Sequence, residues 1–131
     1  MPEYFLYVLL NLLLIYVPRV VVIAYILRSG EPYDNRHPRL QQAKLTGLGA
    51  RAQAAHENSI EMFALFAPSV IIAHLLGAPN YYLSLLSLTY FYGRLAYIIA
   101  YLANWHVLRS IIWTINFLNI VALYFIIPLN N

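Results

Sequence analysis

The chain has 131 residues, of which 62% are hydrophobic and only 10% are charged, and its formal net charge is +3. Soluble domains have about 25% charged residues, and the apolar residues here form blocks rather than amphipathic faces. This composition excludes an ordinary water-soluble domain and indicates an integral membrane protein. The chain contains no cysteine, which excludes a disulfide, a thiol nucleophile and a thiolate metal site.

Four apolar blocks are long enough to cross the hydrocarbon layer, which requires about 20 helical residues. Backbone groups within lipid must bond to one another, so each block is predicted to be an α-helix. The first block is too long for a signal peptide and lacks a basic start, so it is expected to be a genuine span. The sequence predicts one all-α integral membrane domain over 1–131, a bundle of four transmembrane helices. The spans are expected at about 4–27, 54–76, 81–102 and 107–127.

The connections between the spans are of two kinds. Residues 76–80 and 103–106 predict tight hairpins, because each contains residues that favour turns. The long connection 28–49 gathers proline, glycine and charged residues. It is expected to form an ordered polar loop, whose helical tail over 40–50 runs into the second span.

The basic residues predict the orientation of the chain in the membrane. Cytoplasmic segments next to spans carry an excess of lysine and arginine. This rule puts both termini outside and the loop 28–49 in the cytoplasm. The net charge has this local origin and does not indicate binding to nucleic acid. The residues concerned are Arg28, Arg36, Arg39, Lys44, Arg51 and Arg109.

Polar residues inside the spans are the main functional signal, because ionisable groups in lipid are costly and usually face a bundle interior or a wet cavity. On the second span, helical spacing brings Arg51, Asn58 and Glu61 within a sector of about 80°. The third span carries hydroxyl groups around one guanidinium on a single face. These residues are Tyr90, Arg94, Tyr97 and Tyr101.

Two buried ion pairs are expected from these positions. Arg94 and Glu61 lie at similar depths on neighbouring spans, so a pair between them is the economical arrangement. Arg19 in the first span also needs a partner, and Glu57 or Glu61 is available. The alternative interpretation is structural: the charges fix the helix register, and the tyrosines are ordinary interfacial aromatics. His56 has no second histidine on its face, so no metal site is predicted.

Three segments resemble the MAPEG family, the membrane-associated proteins in eicosanoid and glutathione metabolism, and look closest to its bacterial members. They are Asp34-Asn-Arg-His-Pro-Arg39, the stretch 51–63 that opens with Arg-Ala-Gln-Ala-Ala-His-Glu-Asn, and the stretch 94–110. The similarity covers nearly the whole chain in span count and loop lengths. It implies a homotrimer of four-helix bundles in a bacterial inner membrane, with a glutathione site between neighbouring subunits.

The resemblance also implies roles for individual residues. Asn58 and Glu61 match positions on the second helix that hold glutathione, and an arginine matching Arg109 acts on the thiol as the catalytic residue. Glutathione-using members have an arginine four residues before the asparagine, where this chain has Ala54. The nearest guanidinium, Arg51, either reaches back to the ligand or anchors the helix at the headgroups. The expected glutathione-binding residues are Arg28, Arg51, Asn58, Glu61, Arg94, Tyr97 and Tyr101.

The function implied by the resemblance is a membrane-bound glutathione transferase or peroxidase acting on lipophilic electrophiles or lipid hydroperoxides. These small molecules would reach the site sideways from the bilayer. The alternative is a non-catalytic protein on the same fold, either lipid-binding or an accessory subunit of a larger membrane complex. The departure at Ala54 keeps both hypotheses open.

Overall fold

The computed structural model describes residues 1–129, and within this part the chain is entirely helical, with no strand. Four segments are long and apolar enough to cross a membrane, the first made of α1 and α2 together. The prediction of an all-α membrane fold with four spanning helices is confirmed. The helices are α1 Glu3–Leu14, α2 Val17–Arg28, α3 Pro38–Ala43, α4 Gly47–Leu75, α5 Asn80–Leu102 and α6 His106–Phe125.

The first span is interrupted between α1 and α2, where the sequence predicted a single continuous helix. Pro18 lies in the first turn of α2, and a proline cannot donate a backbone hydrogen bond to the preceding turn. The donor that Pro18 lacks would bond to the carbonyl of Leu14, and the neighbouring carbonyl of Ile15 accepts a hydrogen bond from His56 Nδ1 at 2.8 Å. His56 therefore stabilises the break by satisfying a carbonyl that the helix has released.

The expected helical tail over 40–50 is wrong, because α3 and α4 are separate helices. Thr46 is extended, and Gly47 has a positive φ of 53° at the start of α4. This backbone turns the chain before α4 begins, about two turns earlier than the predicted second span. Two residues further on, a Cβ at Gly49 would lie 2.5 Å from the Tyr25 ring. Glycine there allows α2 to pack closely against α4.

Both predicted hairpins have the same closing geometry. Gly77 follows α4 with a φ of 78°, and Ala78 N–H donates to the carbonyl of Ala73 at 2.9 Å. Asn104 follows α5 with a φ of 62°, and the next amide closes an equivalent bond at 2.8 Å. These are Schellman motifs, in which a residue in the left-handed conformation ends the helix and satisfies its last carbonyls.

The apolar core lies at the end of the bundle that contains the Gly77 turn. Phe66 of α4 stacks on Tyr90 of α5, with ring centroids 3.8 Å apart. At the same end, the buried Tyr4 hydroxyl lies 2.9 Å from His74 Nδ1. Helix α6 is the least covered span, with only 17% of its apolar window buried inside the chain. The charged residues of α4 and α5 lie between the middle of these helices and the other end, beside the long loop.

Candidate functional site

A polar groove opens between α4, α5 and α6 near the end of the bundle that carries the long loop. Its volume is about 320 Å³. Each helix contributes side chains that face the others because of their spacing along the helix. The lining residues are Asn58, Tyr97, Tyr101, Arg109, Ser110, Trp113 and Thr114. Four of these were expected from the sequence to belong to the ligand site.

Arg109 lies in the first turns of α6, and its guanidinium faces an aromatic side chain of α5. Its Cζ atom lies 4.2 Å from the centroid of the Tyr101 ring. The Tyr101 ring in turn meets Tyr97 edge to face, with centroids 5.6 Å apart. A cation over a ring face is attracted by the ring's quadrupole, so the aromatic pair orients the only guanidinium that lines this groove.

Arg94 lies behind the groove rather than in it, and its predicted pair with Glu61 is wrong. Its side chain is buried, with an exposed fraction of 3%, and Nη2 donates to Asn58 Oδ1 at 3.0 Å and to Ser59 Oγ at 3.2 Å. Its Cζ also lies 4.2 Å from the centroid of the Tyr97 ring. Glu61 is exposed, because Asn58 and Ser59, one turn earlier, are the α4 residues that face Arg94.

The contact with Arg94 fixes the orientation of Asn58. The guanidinium can only donate hydrogen bonds, so the amide oxygen of Asn58 faces Arg94. The Nδ2 hydrogens are then the groups that Asn58 can offer to a ligand in the groove. The Arg94 Nη1 atom has no hydrogen-bond partner within the described residues, and it borders a small cavity of about 10 Å³. That space is close to the volume of one water molecule.

The remaining expected site residues lie outside the groove of a single subunit. Arg51 Nε donates to the carbonyl of Leu102 at 3.2 Å, so in this arrangement it caps the end of α5. Arg28, at the end of α2, and Glu61 are both exposed on the surface of the chain. Asn58, Tyr97, Tyr101 and Arg109 are therefore the expected residues that the fold brings together.

The expected partners of Arg19 are also wrong. Within the described residues, Arg19 contacts neither Glu57 nor Glu61 within ion-pair distance; Nη1 donates to Gln53 Oε1 at 3.3 Å and Nη2 to the Tyr33 hydroxyl at 2.9 Å. Tyr33 comes from the long loop, which folds back to the level of the guanidinium. A sequence gives the angular position of Arg19 on its helix, but it does not give the path of this loop.

Three groove residues were missed by sequence reasoning: Ser110, Trp113 and Thr114. Trp113 follows Arg109 by four residues, and Thr114 follows Ser110 by four, so helical periodicity places all of them near one face. The Thr114 hydroxyl donates to the Ser110 carbonyl at 3.0 Å. Extending the helical pattern beyond Arg109 would have identified these residues.

The fold and the groove define a class of protein: a four-span integral membrane protein with a polar, arginine-containing groove near one end of its bundle. The chain matches the model of the MAPEG family over residues 4–128 and belongs to that family. Family members are embedded in membranes, are generally trimeric and generally use glutathione. No curated protein and no solved structure was found to match the chain.

Proposed function

We propose that the protein is a membrane-bound glutathione transferase or peroxidase that acts on lipophilic electrophiles or lipid hydroperoxides. The observation that carries the proposal is the convergence of Asn58, Tyr97, Tyr101 and Arg109 on one groove of about 320 Å³. These residues come from three different helices. Their shared groove supports a ligand site more strongly than the resemblance of any one segment does.

The donor set of the groove fits part of glutathione. A thiol has an ordinary pKa of about 8.5, and a neighbouring cation favours its thiolate form. Arg109 is the cation that we assign to the thiol, and the phenolic hydroxyls of Tyr97 and Tyr101 are additional donors to it. Asn58 offers its Nδ2 hydrogens to a peptide carbonyl or a carboxylate of the ligand.

Glutathione has two carboxylates, whereas the groove of one subunit contains one arginine. We therefore assign part of the ligand to a neighbouring subunit of a homotrimer. The Arg28 side chain is exposed at the end of α2, so it is our candidate for a carboxylate across the interface. Glu61 is exposed one turn beyond Asn58, where a carboxylate could accept from the ligand's ammonium group.

The protein's own contribution to the reaction would be electrostatic and geometric. Bound glutathione would supply the sulfur nucleophile or reductant. Arg109 near the start of α6 would stabilise negative charge on that sulfur, with support from the helix dipole. Tyr101 would hold the guanidinium in place, and the groove walls would position the reacting groups close together. No side chain of the protein needs to form a covalent bond in this scheme.

A non-catalytic, lipid-binding or accessory role is the competing proposal, and Ala54 is the residue that favours it. The only arginine one turn away, Arg51, bonds to the carbonyl of Leu102 and so is already engaged. The loss of one charged hydrogen-bond contact costs about 1.5–3 kcal/mol. That corresponds to about a tenfold or greater loss of glutathione affinity.

Calorimetric titration of the detergent-purified protein with glutathione tests the enzyme proposal. We expect saturable binding that Asn58→Ala and Arg109→Ala each weaken about tenfold or more. Arg36→Ala is the matched control, since Arg36 is an exposed loop residue remote from the groove. Turnover of lipophilic electrophiles and lipid hydroperoxides is then measured on the wild type. Absence of binding at about 10 mM glutathione would leave the non-catalytic role.

We also propose the trimer that the family resemblance implies and the orientation that the basic residues predict. Native mass spectrometry should give a complex of three 15.1 kDa chains, and a monomer would contradict the shared site. Because the chain has no cysteine, Leu76→Cys and Arg36→Cys can each be labelled alone with an impermeant maleimide. In intact spheroplasts we expect labelling at position 76 only, and the reverse pattern would overturn the orientation.

A further inference from the structure

A second polar cavity lies on the α2 side of α4, away from the α5–α6 groove. Its volume is about 310 Å³, and no residue lines both this cavity and the groove. Helix α3 packs against the bundle and forms part of the wall of this cavity. We call it the Arg19 cavity; its charged residues are Arg19, Arg39 and Glu57, and His56 also lines it.

Arg19 is held in this cavity entirely by neutral acceptors. Gln53 Oε1 and the Tyr33 hydroxyl accept from its two Nη atoms. With its amide oxygen turned toward the guanidinium, Gln42 accepts from both Nη atoms as well, at 2.5 and 2.7 Å. These contacts fix the guanidinium, but they leave its positive charge without a counter-charge. An arginine within a span is costly unless its charge is compensated.

Glu57 does not supply that counter-charge directly. Its carboxylate accepts from Gln53 Nε2 at 2.8 Å, and no ion pair joins it to Arg19 within residues 1–129. Arg39 is exposed and adds a second positive charge at the α3 wall. Two arginines and one glutamate give the cavity a net charge of +1, so an anion carrying one negative charge would balance it.

His56 adds a directed polar group to the same cavity. The carbonyl of Ile15 can only accept a hydrogen bond, so the proton of the neutral His56 ring is on Nδ1. This leaves Nε2 free to accept from a ligand hydroxyl, or to donate to an anion when the ring is protonated. The cavity therefore offers both fixed positive charge and a group that can bind a hydroxyl.

The rim of the cavity is apolar and open to the surroundings of the bundle. Tyr16 and Ile60 line the cavity with exposed fractions of 57% and 49%. Val20, one turn after Tyr16, is 64% exposed. These side chains belong to two membrane-spanning helices, so their exposed surfaces suit hydrocarbon chains. A ligand with an anionic head and apolar tails matches the polar interior and the apolar rim together.

We propose that the Arg19 cavity binds the phosphate headgroup of an anionic phospholipid, with the acyl chains lying along Tyr16, Val20 and Ile60. Arg19 and Arg39 contact the phosphate, and His56 contacts the polar part of the headgroup. The site is separate from the glutathione groove and holds a structural or regulatory lipid. The lipid-binding proposal does not depend on the glutathione proposal.

Native mass spectrometry of the delipidated protein tests the proposal, with phosphatidylglycerol and phosphatidylcholine of identical chains as probes. We expect the wild type to retain phosphatidylglycerol in preference to phosphatidylcholine. Arg19→Gln should weaken that retention about tenfold or more, and Arg39→Gln about two- to fivefold, as for an exposed charge. Arg36→Gln is the matched control, since it removes the same charge from the loop outside the cavity.

Glutathione titration of the same variants separates the possible outcomes. Unchanged glutathione binding by Arg19→Gln, together with loss of phosphatidylglycerol, supports the lipid site. Equal retention of the two lipids by the wild type would overturn it. So would loss of glutathione alone, which would assign the cavity to a neighbouring subunit's glutathione site. If Arg19→Gln fails to fold, the exposed Arg39→Gln decides. A wild type that binds no glutathione leaves the lipid comparison intact.

Discussion

Two arginines, Arg19 and Arg94, lie two turns or more from either end of their spanning helices, and their surroundings differ. Arg94 has an exposed fraction of 3% and bonds to Asn58 and Ser59 under the Tyr97 ring. Arg19 is only partly buried and borders an open cavity. Within residues 1–129 neither has a carboxylate partner, since the one ion pair found there joins the loop residues His37 and Asp34.

This difference separates an arginine that positions other residues from one that is available to a ligand. The closed surroundings of Arg94 leave it no room for anything larger than a water, so it acts through Asn58 and Tyr97. The open surroundings of Arg19 leave its charge accessible. The same residue type at a similar cost in lipid thus has a different role on each side of α4.

The substitution Arg94→Met tests this difference between the two arginines, and we expect it to have the largest effect, a loss of glutathione binding. Without the guanidinium, the amide of Asn58 loses the partner that orients it, so we expect affinity to fall about tenfold or more. Retention of phosphatidylglycerol should not change. Both quantities are measured as for the other variants, by calorimetry and by native mass spectrometry.

A double-mutant cycle distinguishes positioning by Arg94 from general damage. If Arg94 acts through Asn58, then Asn58→Ala should cause little further loss of affinity in the Arg94→Met background. Arg94→Lys, which keeps a charge but has one compact donor group, should restore part of the binding. Fully additive losses in the cycle would contradict the positioning role.

The large-scale fold could be predicted from the sequence because lipid restricts the possible structures. A span must be about 20 apolar residues of helix, so blocks such as 81–102 determine their own structure. Part of the groove could also be predicted from the sequence. Tyr97 and Tyr101 share a face through helical spacing, and Asn58 and Arg109 lie in segments that resemble the family. The family membership of the chain is shown by the match over residues 4–128.

The partners of the buried polar groups could not be predicted in the same way. Helical spacing gives the angle of Arg94 on its own helix, but the rotation and height of the neighbouring helix decide between Asn58 and Glu61. His56 reaches the carbonyl of Ile15, 41 residues away in the chain, at the break between α1 and α2. Such contacts depend on long-range packing, which a local pattern does not contain.

Substitutions at two glycines test whether the groove and the Arg19 cavity, on opposite sides of α4, are independent of each other. A Cβ at Gly93 would overlap the amide of the buried Asn116 on the α6 side, and one at Gly49 would press on the Tyr25 ring on the α2 side. Gly93→Ala should lower the free energy of unfolding by about 1–3 kcal/mol, the range for overpacking. Gly49→Ala should cost a similar amount, because the contacts include Cγ at the base of the Tyr25 ring, so that α2 has to move. Thermal unfolding in detergent measures both.

The binding assays give the sharper result from the same two variants. Gly93→Ala moves α6 relative to α5, so it should weaken glutathione binding and leave phosphatidylglycerol retention unchanged. Gly49→Ala moves α2 relative to α4, so the opposite pattern is expected. If each variant weakened both ligands equally, the groove and the Arg19 cavity would not be independent sites.

The smallest expected effect concerns the loop that leads into α3, the helix that forms part of the wall of the Arg19 cavity. Asp34 Oδ1 accepts from the backbone N–H groups of Arg36 and His37 at 2.9 and 3.0 Å, immediately before α3. The Asp34 amide donates to Gln41 Oε1 at 2.9 Å. Asp34 thereby orders the segment that leads into α3, the helix that carries Arg39.

This ordering depends on pH. The His37 backbone N–H, followed by that of Arg36 and the nearby His37 ring, lowers the pKa of Asp34 from its ordinary value of 3.8. Because the folded-state pKa is depressed, the stabilisation is complete above about pH 3.8 and is lost as the pH falls through the lower, folded-state pKa.

Hydrogen exchange at the His37 amide should therefore quicken only in strong acid. Asp34→Ala should produce the same fast exchange at neutral pH, whereas Asp34→Asn, which keeps the acceptor oxygen, should resemble the wild type. Equal exchange in all three proteins would mean that packing of α3 against α4, rather than Asp34, holds the loop over Arg19.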